Sequence, residues 1–260
     1  MALDLFQLLV IEWPFPALAL GLLGVAWVLY NLSRVHHTSQ RTTYYWWLPL
    51  FFYMIHQFEE HGIDVYGNKY AFKGQLCALL EKTTTEKREC AASEWIIMIV
   101  NCGTVWIMLT LVALLQSRTR RTFTLLKASG IGSILVNAWK HIVEVPTTGW
   151  TYNSGLVTGV TMFLPLALFL MYLEIKENGG FSNVSYVLKV IFWSGVMGFL
   201  SHAVLIGSLV MAMQGHFQHV NQEAVLTWIQ LLNGVIPLLG DVVLGSYPSN
   251  EKEKELQKNK

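Results

Sequence analysis

Seven apolar stretches, each close to the length of a membrane crossing, constrain this 260-residue chain more than any other feature. They are Pro14–Tyr30, about Tyr44–His61, Trp95–Leu115, Phe123–Val145, Leu156–Leu173, Val187–Met213 and Ala224–Tyr247. A helix needs about 20 residues to cross ~30 Å of hydrocarbon. No stretch alternates with the two-residue period of a barrel strand, so helices are the expected spanning elements. The predicted fold is an all-α, polytopic membrane helix bundle of about seven transmembrane helices. Residues 1–247 form its single domain, and residues 248–260 are a charged tail expected to be disordered. Only 13% of the residues are charged, against ~25% in soluble domains. A net charge of +1 argues against a nucleic-acid partner. Ten Trp and ten Tyr suit a protein with two membrane interfaces. No removable signal peptide is expected, because no short apolar segment with a small-residue cleavage site precedes the first stretch.

Lys and Arg in the connections set the orientation. With seven crossings, one side receives Arg34, Arg41, Arg118, Arg120, Arg121, Lys176 and the tail lysines 252, 254, 258 and 260. The other receives Lys69, Lys73, Lys82, Lys87 and Arg88, all in one long loop that is also rich in acids. The C-terminus is therefore expected in the cytosol, in the endoplasmic reticulum or another endomembrane. The glycosylation sequons at Asn31 and Asn183 then face the cytosol unused. Cys77 and Cys90 share the long outer loop, and the residues leave open whether they are joined. Cys102 reads as a small buried hydrophobe.

The second and fourth stretches carry ionisable groups, which are costly in a membrane and mark functional sites by default. The second ends in Tyr53-Met54-Ile55-His56-Gln57-Phe58-Glu59-Glu60-His61-Gly62. On an α-helix His56, Glu59 and Glu60 share a face at i, i+3 and i+4. Asn137, Lys140, His141 and Glu144 form a similar stripe at i, i+3, i+4 and i+7. Both stretches run outward from the cytosol, so the two stripes lie at one depth. Glu144 follows Lys140 by four residues, so an internal ion pair is the alternative for those two. A short turn returns Tyr152, Asn153 and Thr158 to the same depth, and His202 sits roughly mid-membrane. Gly155 and Gly159 make a G-x-x-x-G pair that suggests close helix packing. Asp241 is expected at the cytosolic interface, apart from the cluster, and no role is expected for His216 or His219.

His56-Gln57-Phe58-Glu59-Glu60, followed by Asn137, His141, Glu144 and Tyr152-Asn153-Ser154-Gly155 with Thr158, resembles the HXXEE-motif family of integral membrane proteins. Ser154 stands where the family pattern has proline. The resemblance implies a polytopic protein with this polar cluster. The architecture is also similar to that of small membrane-bound terpene cyclases of fungal meroterpenoid pathways, although no motif aligns with them.

The leading expectation is acid–base catalysis on a lipophilic, isoprenoid or lipid-like substrate, with no cofactor. A carboxyl group in low dielectric can keep its proton while its neighbour is ionised. Such a proton from Glu59 or Glu60, with Glu144 opposite, could start a cyclase- or isomerase-type reaction. His56, Glu59, Glu60, His141 and Glu144 are the expected catalytic residues, and Asn137, Tyr152, Asn153, Thr158 and His202 the expected substrate-binding ones. Trp46, Trp47, Phe51, Phe52, Tyr53, Trp139, Trp150 and Tyr152 are nearby aromatics that could stabilise a carbocation, although most of them suit the interface belts equally well. The first alternative is a metal-dependent hydrolase or oxygenase with iron or zinc on the five catalytic residues. His56-x-x-Glu59 and His141-x-x-Glu144 reverse the Glu-x-x-His order of di-iron bundles, and neither zinc motif, H-E-x-x-H or H-x-x-E-H, is present. The second alternative is a small transporter or proton pathway.

Overall fold

The structure, a computed structural model, describes residues 5–82, 89–118, 123–149 and 152–246. The tail, Tyr247, Trp150 and the loop residues Lys87, Arg88, Arg120 and Arg121 lie outside the described residues. Among the described residues every regular element is helical: α1 (Leu5–Glu12), α2 (Pro14–Arg34), α3 (Thr38–Tyr45), α4 (Leu48–Gln57), α5 (Ala71–Glu81), α6 (Glu94–Met98), α7 (Trp106–Leu115), α8 (Leu125–Thr148), α9 (Leu156–Thr158), α10 (Leu164–Glu177), α11 (Val184–Met213) and α12 (Gln222–Val243). Three π turns interrupt the α geometry. Phe58–Gly62 extends α4, Ile99–Val105 joins α6 to α7, and Gly159–Phe163 joins α9 to α10.

Local chemistry fixes the helix ends. α2 opens on Pro14, whose missing N–H costs nothing in a first turn. Ser93, Thr124, Asn183 and Asn221 cap α6, α8, α11 and α12 by accepting from backbone N–H groups three residues on. Asp241, on α12, is buried and accepts from the N–H groups of Leu125 and Leu126 at 2.9 Å each. It accepts at the first turn of α8 and lies apart from the His56, Glu60 and His141 side chains.

Five helices among the described residues are long and apolar enough to cross a membrane: Pro14–Arg34, Glu94–Arg118, Leu156–Glu177, Val184–Met213 and Gln222–Val243. The remaining two of the seven expected crossings fall short for different reasons. α4 with its π turn is 15 residues, roughly 22 Å at ~1.5 Å per residue. α8 has 24 residues but carries Lys127, Lys140 and Glu144.

The outer surface is apolar, with Leu23, Phe192, Phe199, Trp228 and Val243 all more than half exposed, while His56, Gln57, His141, Ser194 and Gln230 are buried. That inversion suits hydrocarbon surroundings. α8 and α11 touch backbone to backbone: a Cβ on Gly132 would lie 2.1 Å from the Ser194 carbonyl oxygen, and one on Gly198 2.2 Å from that of Gly132. Only glycine permits this approach. At the other end, Lys127 and Glu174 form a buried ion pair at 3.0 Å. A disulfide joins Cys77 to Cys90, closing what the sequence left open, and Cys102 is a free, half-buried thiol.

Candidate functional site

The motif is shaped by the π turn that follows α4. Its wider hydrogen-bond ring runs from the Ile63 N–H to the Phe58 carbonyl. The change of pitch separates two adjacent carboxylates that α geometry would leave on neighbouring positions. Glu60 turns into a nest of imidazoles: its Oε2 lies 3.3 Å from His56 Nε2 and 3.3 Å from His61 Nε2, and its Oε1 lies 3.5 Å from His141 Nε2. Gln57 donates to Oε2 at 3.3 Å. His56, Glu60 and His141 are all buried.

Glu59 points elsewhere. It accepts from the Val157 N–H at 3.0 Å, the Thr158 N–H at 2.7 Å, the Tyr152 hydroxyl at 2.9 Å and the Thr158 hydroxyl. Two of those donors are free N–H groups of the first turn of the continuous helix Leu156–Glu177. Glu59 is therefore the anion that caps this helix. Burial first, and the Glu59 carboxylate second, push the Tyr152 hydroxyl well above the ordinary tyrosine value. That holds it as a donor.

The hydrogen-bond network assigns the imidazole tautomers. Asn153 Nδ2 donates to the His141 carbonyl at 2.9 Å, and a carbonyl can only accept. Asn153 Oδ1 must then accept from His141 Nδ1 at 2.7 Å, which in the neutral ring leaves His141 Nε2 without a proton. The Thr158 hydroxyl proton is committed to Glu59, so Thr158 Oγ1 accepts from His56 Nδ1 at 2.7 Å, and His56 Nε2 is bare as well. Asn101 Nδ2 donates to the Ile97 carbonyl at 2.8 Å and to His61 Nε2 at 3.1 Å, while Tyr53 donates to Asn101 Oδ1. All three Nε2 atoms present lone pairs. Despite lying 3.3 and 3.5 Å from Glu60, His56 Nε2 and His141 Nε2 make no hydrogen bond among the described residues.

Gly155 makes this convergence possible. Its φ of +94° starts the helix, and a Cβ there would lie 2.7 Å from His56 Cε1 and 2.8 Å from His141 Cε1. It is an N-terminal cap with left-handed backbone, so it is not half of the G-x-x-x-G helix contact expected from the sequence.

Residues 47–170 match the model of the family described as "Protein of unknown function with HXXEE motif". Over that span the chain is similar to the HXXEE-motif family. The matched span contains His56, Glu59, Glu60, His141, Asn153 and Thr158, and excludes α11 and α12. No curated protein and no solved structure matches the chain.

Glu144 does not join the imidazoles. Its carboxylate lies 3.7 Å from Lys140 Nζ, the internal pair that the four-residue spacing allowed. Lys140, Glu144, Asn137 and His202 instead line a cavity of about 360 Å³. The walls come from α6 with its π turn, α8, α11 and α12, and α5 closes one side with Phe72, Leu76 and Leu79. Glu60, His61 and Asn101 reach the cavity at one end. His202 donates through Nδ1 to the Gly198 carbonyl at 2.9 Å when Nδ1 carries the proton.

Two cluster members were not expected from the sequence. His61 is at i+5 from His56, which breaks the H-x-x-E-H spacing and faces elsewhere on an α-helix; the π turn brings it to Glu60. Asn101 was passed over inside the most apolar stretch, where a lone amide is itself a signal. Of the expected aromatics, Tyr53 and Trp139 line the cavity and Tyr152 bonds Glu59, while three further rings lie against the imidazoles. Phe163 lies 4.3 Å from the His56 ring, Phe72 4.4 Å from His61 and Trp13 5.4 Å from His61. Trp46 is instead 5.6 Å from Lys127 Nζ, beside the Lys127–Glu174 pair.

Proposed function

We propose that the chain is a membrane-embedded enzyme acting on a lipophilic, isoprenoid or lipid-like substrate at Glu60. One observation carries this reading: a cavity large enough for a small molecule, lined mainly by apolar side chains, ends on the carboxylate that three imidazoles surround. An apolar ligand enters such a space by burial, and Glu60 and His61 meet its reactive end.

Of the two motif glutamates, only Glu60 is placed to act as an acid. Glu59 has four donors on its two oxygens and serves as an acceptor. A cyclase- or isomerase-type reaction started by a proton would take it from Glu60, deliver it to an epoxide oxygen or an alkene carbon, and return one to a base. Metal-dependent chemistry is the second reading, favoured by the bare nitrogens facing Glu60. In this proposal α4 with its π turn and α8 also cross the bilayer, giving seven crossings with a cytosolic C-terminus. The Cys77–Cys90 disulfide supports an oxidising outer side for the α5 loop.

The test is turnover of a prenylated epoxide or polyene by membranes carrying the wild type, Glu60→Gln or Leu205→Trp, the last filling the cavity from α11. Glu60→Gln should lower turnover by ~10²–10⁴-fold, and Leu205→Trp should raise KM or abolish binding. Proton or ion flux dependent on Glu60, with no substrate turned over, would make the protein a transporter instead.

A further inference from the structure

We infer that His56, Glu60 and His141 bind one divalent first-row transition cation, zinc or ferrous iron, through the two Nε2 atoms and the carboxylate. This rests on the proposed site at Glu60 and follows its metal-dependent reading, in which Glu60 is ionised and the ion, not a carboxyl proton, supplies the acid.

Four observations carry it. The first is proximity: one ligand atom from each residue lies within 4.8 Å of the others, and all three residues are buried. The second is the separation itself. Tetrahedral bonds of ~2.0–2.2 Å place neighbouring donor atoms roughly 3.3–3.6 Å apart. The observed 3.3 Å from His56 Nε2 to Glu60 Oε2 and 3.5 Å from His141 Nε2 to Glu60 Oε1 fall in that interval, one for each carboxylate oxygen. Charge-assisted hydrogen bonds are shorter, ~2.7–2.9 Å.

The third is the count of protons. As neutral rings, the form that binds metal, His56 and His141 each spend their proton at Nδ1, so both Nε2 atoms are acceptors aimed at a carboxylate that also accepts. A protonated Glu60 has one proton and could satisfy one of the two nitrogens. The other would stay buried and unpaired, at a cost of ~1–3 kcal/mol. A cation satisfies both nitrogens and the carboxylate together. His61 differs, because its Nε2 accepts from Asn101. It is a neighbour of the ion and not a ligand.

The fourth is the way the rings are held. Histidines that bind metal normally donate their other N–H to a fixed acceptor, which sets tautomer and orientation. Asn153 does this for His141 and is locked by its own bond to the His141 carbonyl; Thr158 does it for His56. Gly155 lies against the Cε1 edge of both rings. Glu59 and Glu144 are excluded as ligands, one by its helix cap and the other by its place beside Lys140. Two nitrogens and one oxygen suit zinc or iron, and not calcium or magnesium, which take oxygen ligands. Such an ion would supply Lewis acidity or an activated water at the end of the cavity.

The experiment is elemental analysis of the full chain purified in detergent, made in medium supplied with zinc and iron. About one equivalent of one of them is expected in the wild type, reduced at least ~10-fold in Glu60→Gln and His141→Ala and retained in Glu144→Gln. To guard against variants that fail to fold, the wild type is stripped by chelator and titrated with Co²⁺. Visible absorption bands saturating at one equivalent are expected. Wild type without stoichiometric metal and without Co²⁺ bands overturns the site, as does metal retained in both ligand variants. Lipophilic turnover that survives stripping would overturn the cation and leave the substrate reading standing. Stoichiometric metal with no lipophilic substrate turned over would do the reverse.

Discussion

Glu59 and Glu60 share one dipeptide and two unrelated tasks. One neutralises the exposed N–H groups at a helix start; the other faces histidines. Their substitutions should therefore fail in different ways. Glu59→Gln puts an amide N–H₂ against a set of donors, leaving at least one buried donor unpaired at ~1–3 kcal/mol each. Loss of thermal stability in detergent is expected, with metal content falling only as the fold is lost. Glu60→Gln should keep its melting temperature within a few degrees and lose the metal. Equal melting temperatures for the two variants would sink this division. Gly155→Ala should lose both stability and metal, because its φ is strained for a side chain and the methyl group would strike the His56 and His141 rings.

At the scale of elements, three π turns surround the site, and they explain what could and could not be read from the sequence. The stripe Asn137-x-x-x-His141 lies in regular α8, and simple helical arithmetic placed those two residues on the side facing the site. The same arithmetic failed beyond Phe58, where the pitch changes; it left His61 out and gave Glu59 and Glu60 a common direction. In Ile99–Val105 a single amide, Asn101, turns inward from an apolar run that offers no polar stripe to read. A π turn amounts to one extra residue in an α-helix, and its presence depends on tertiary partners that no local pattern encodes. Deleting Phe58 should restore α geometry, swing His61 and Glu60 away by about 100°, and lower metal affinity while helix content stays constant by circular dichroism. Unchanged metal binding in that variant would show that the turn does not position the ligands. The five apolar helices were legible from composition alone. α4 and α8 were harder to score because the residues that make the site are the residues that weaken the membrane signal.

Across the whole molecule, the burial pattern puts apolar side chains outward and amides, imidazoles and carboxylates inward, and the close Gly132–Gly198 crossing clamps α8 to α11 beside the cavity. The bundle is thus pinned at that crossing and spacious next to it. Trp139 and Phe199 line the cavity and are themselves exposed, so in the proposed enzyme they mark the substrate's entrance.

The helix cap by Glu59 also has a consequence in time. Its donors Tyr152, Val157 and Thr158 follow it by 93, 98 and 99 residues. When a ribosome delivers Glu59 to the membrane, the groups that will satisfy it have not yet been translated. A carboxylate facing hydrocarbon costs ~2.5–3.5 kcal/mol on insertion scales, and α4 with its π turn has only 15 residues to offset it. The segment should wait at the interface and enter fully once α8 and the Leu156–Glu177 helix have emerged. With a glycosylation acceptor built between Cys77 and Cys90, chains truncated after residue 118 should be glycosylated poorly and chains reaching residue 177 efficiently. Equal glycosylation of both would show that α4 enters unaided, and none in either would place that loop in the cytosol. The order in which the crossings are synthesised is then not the order in which they settle.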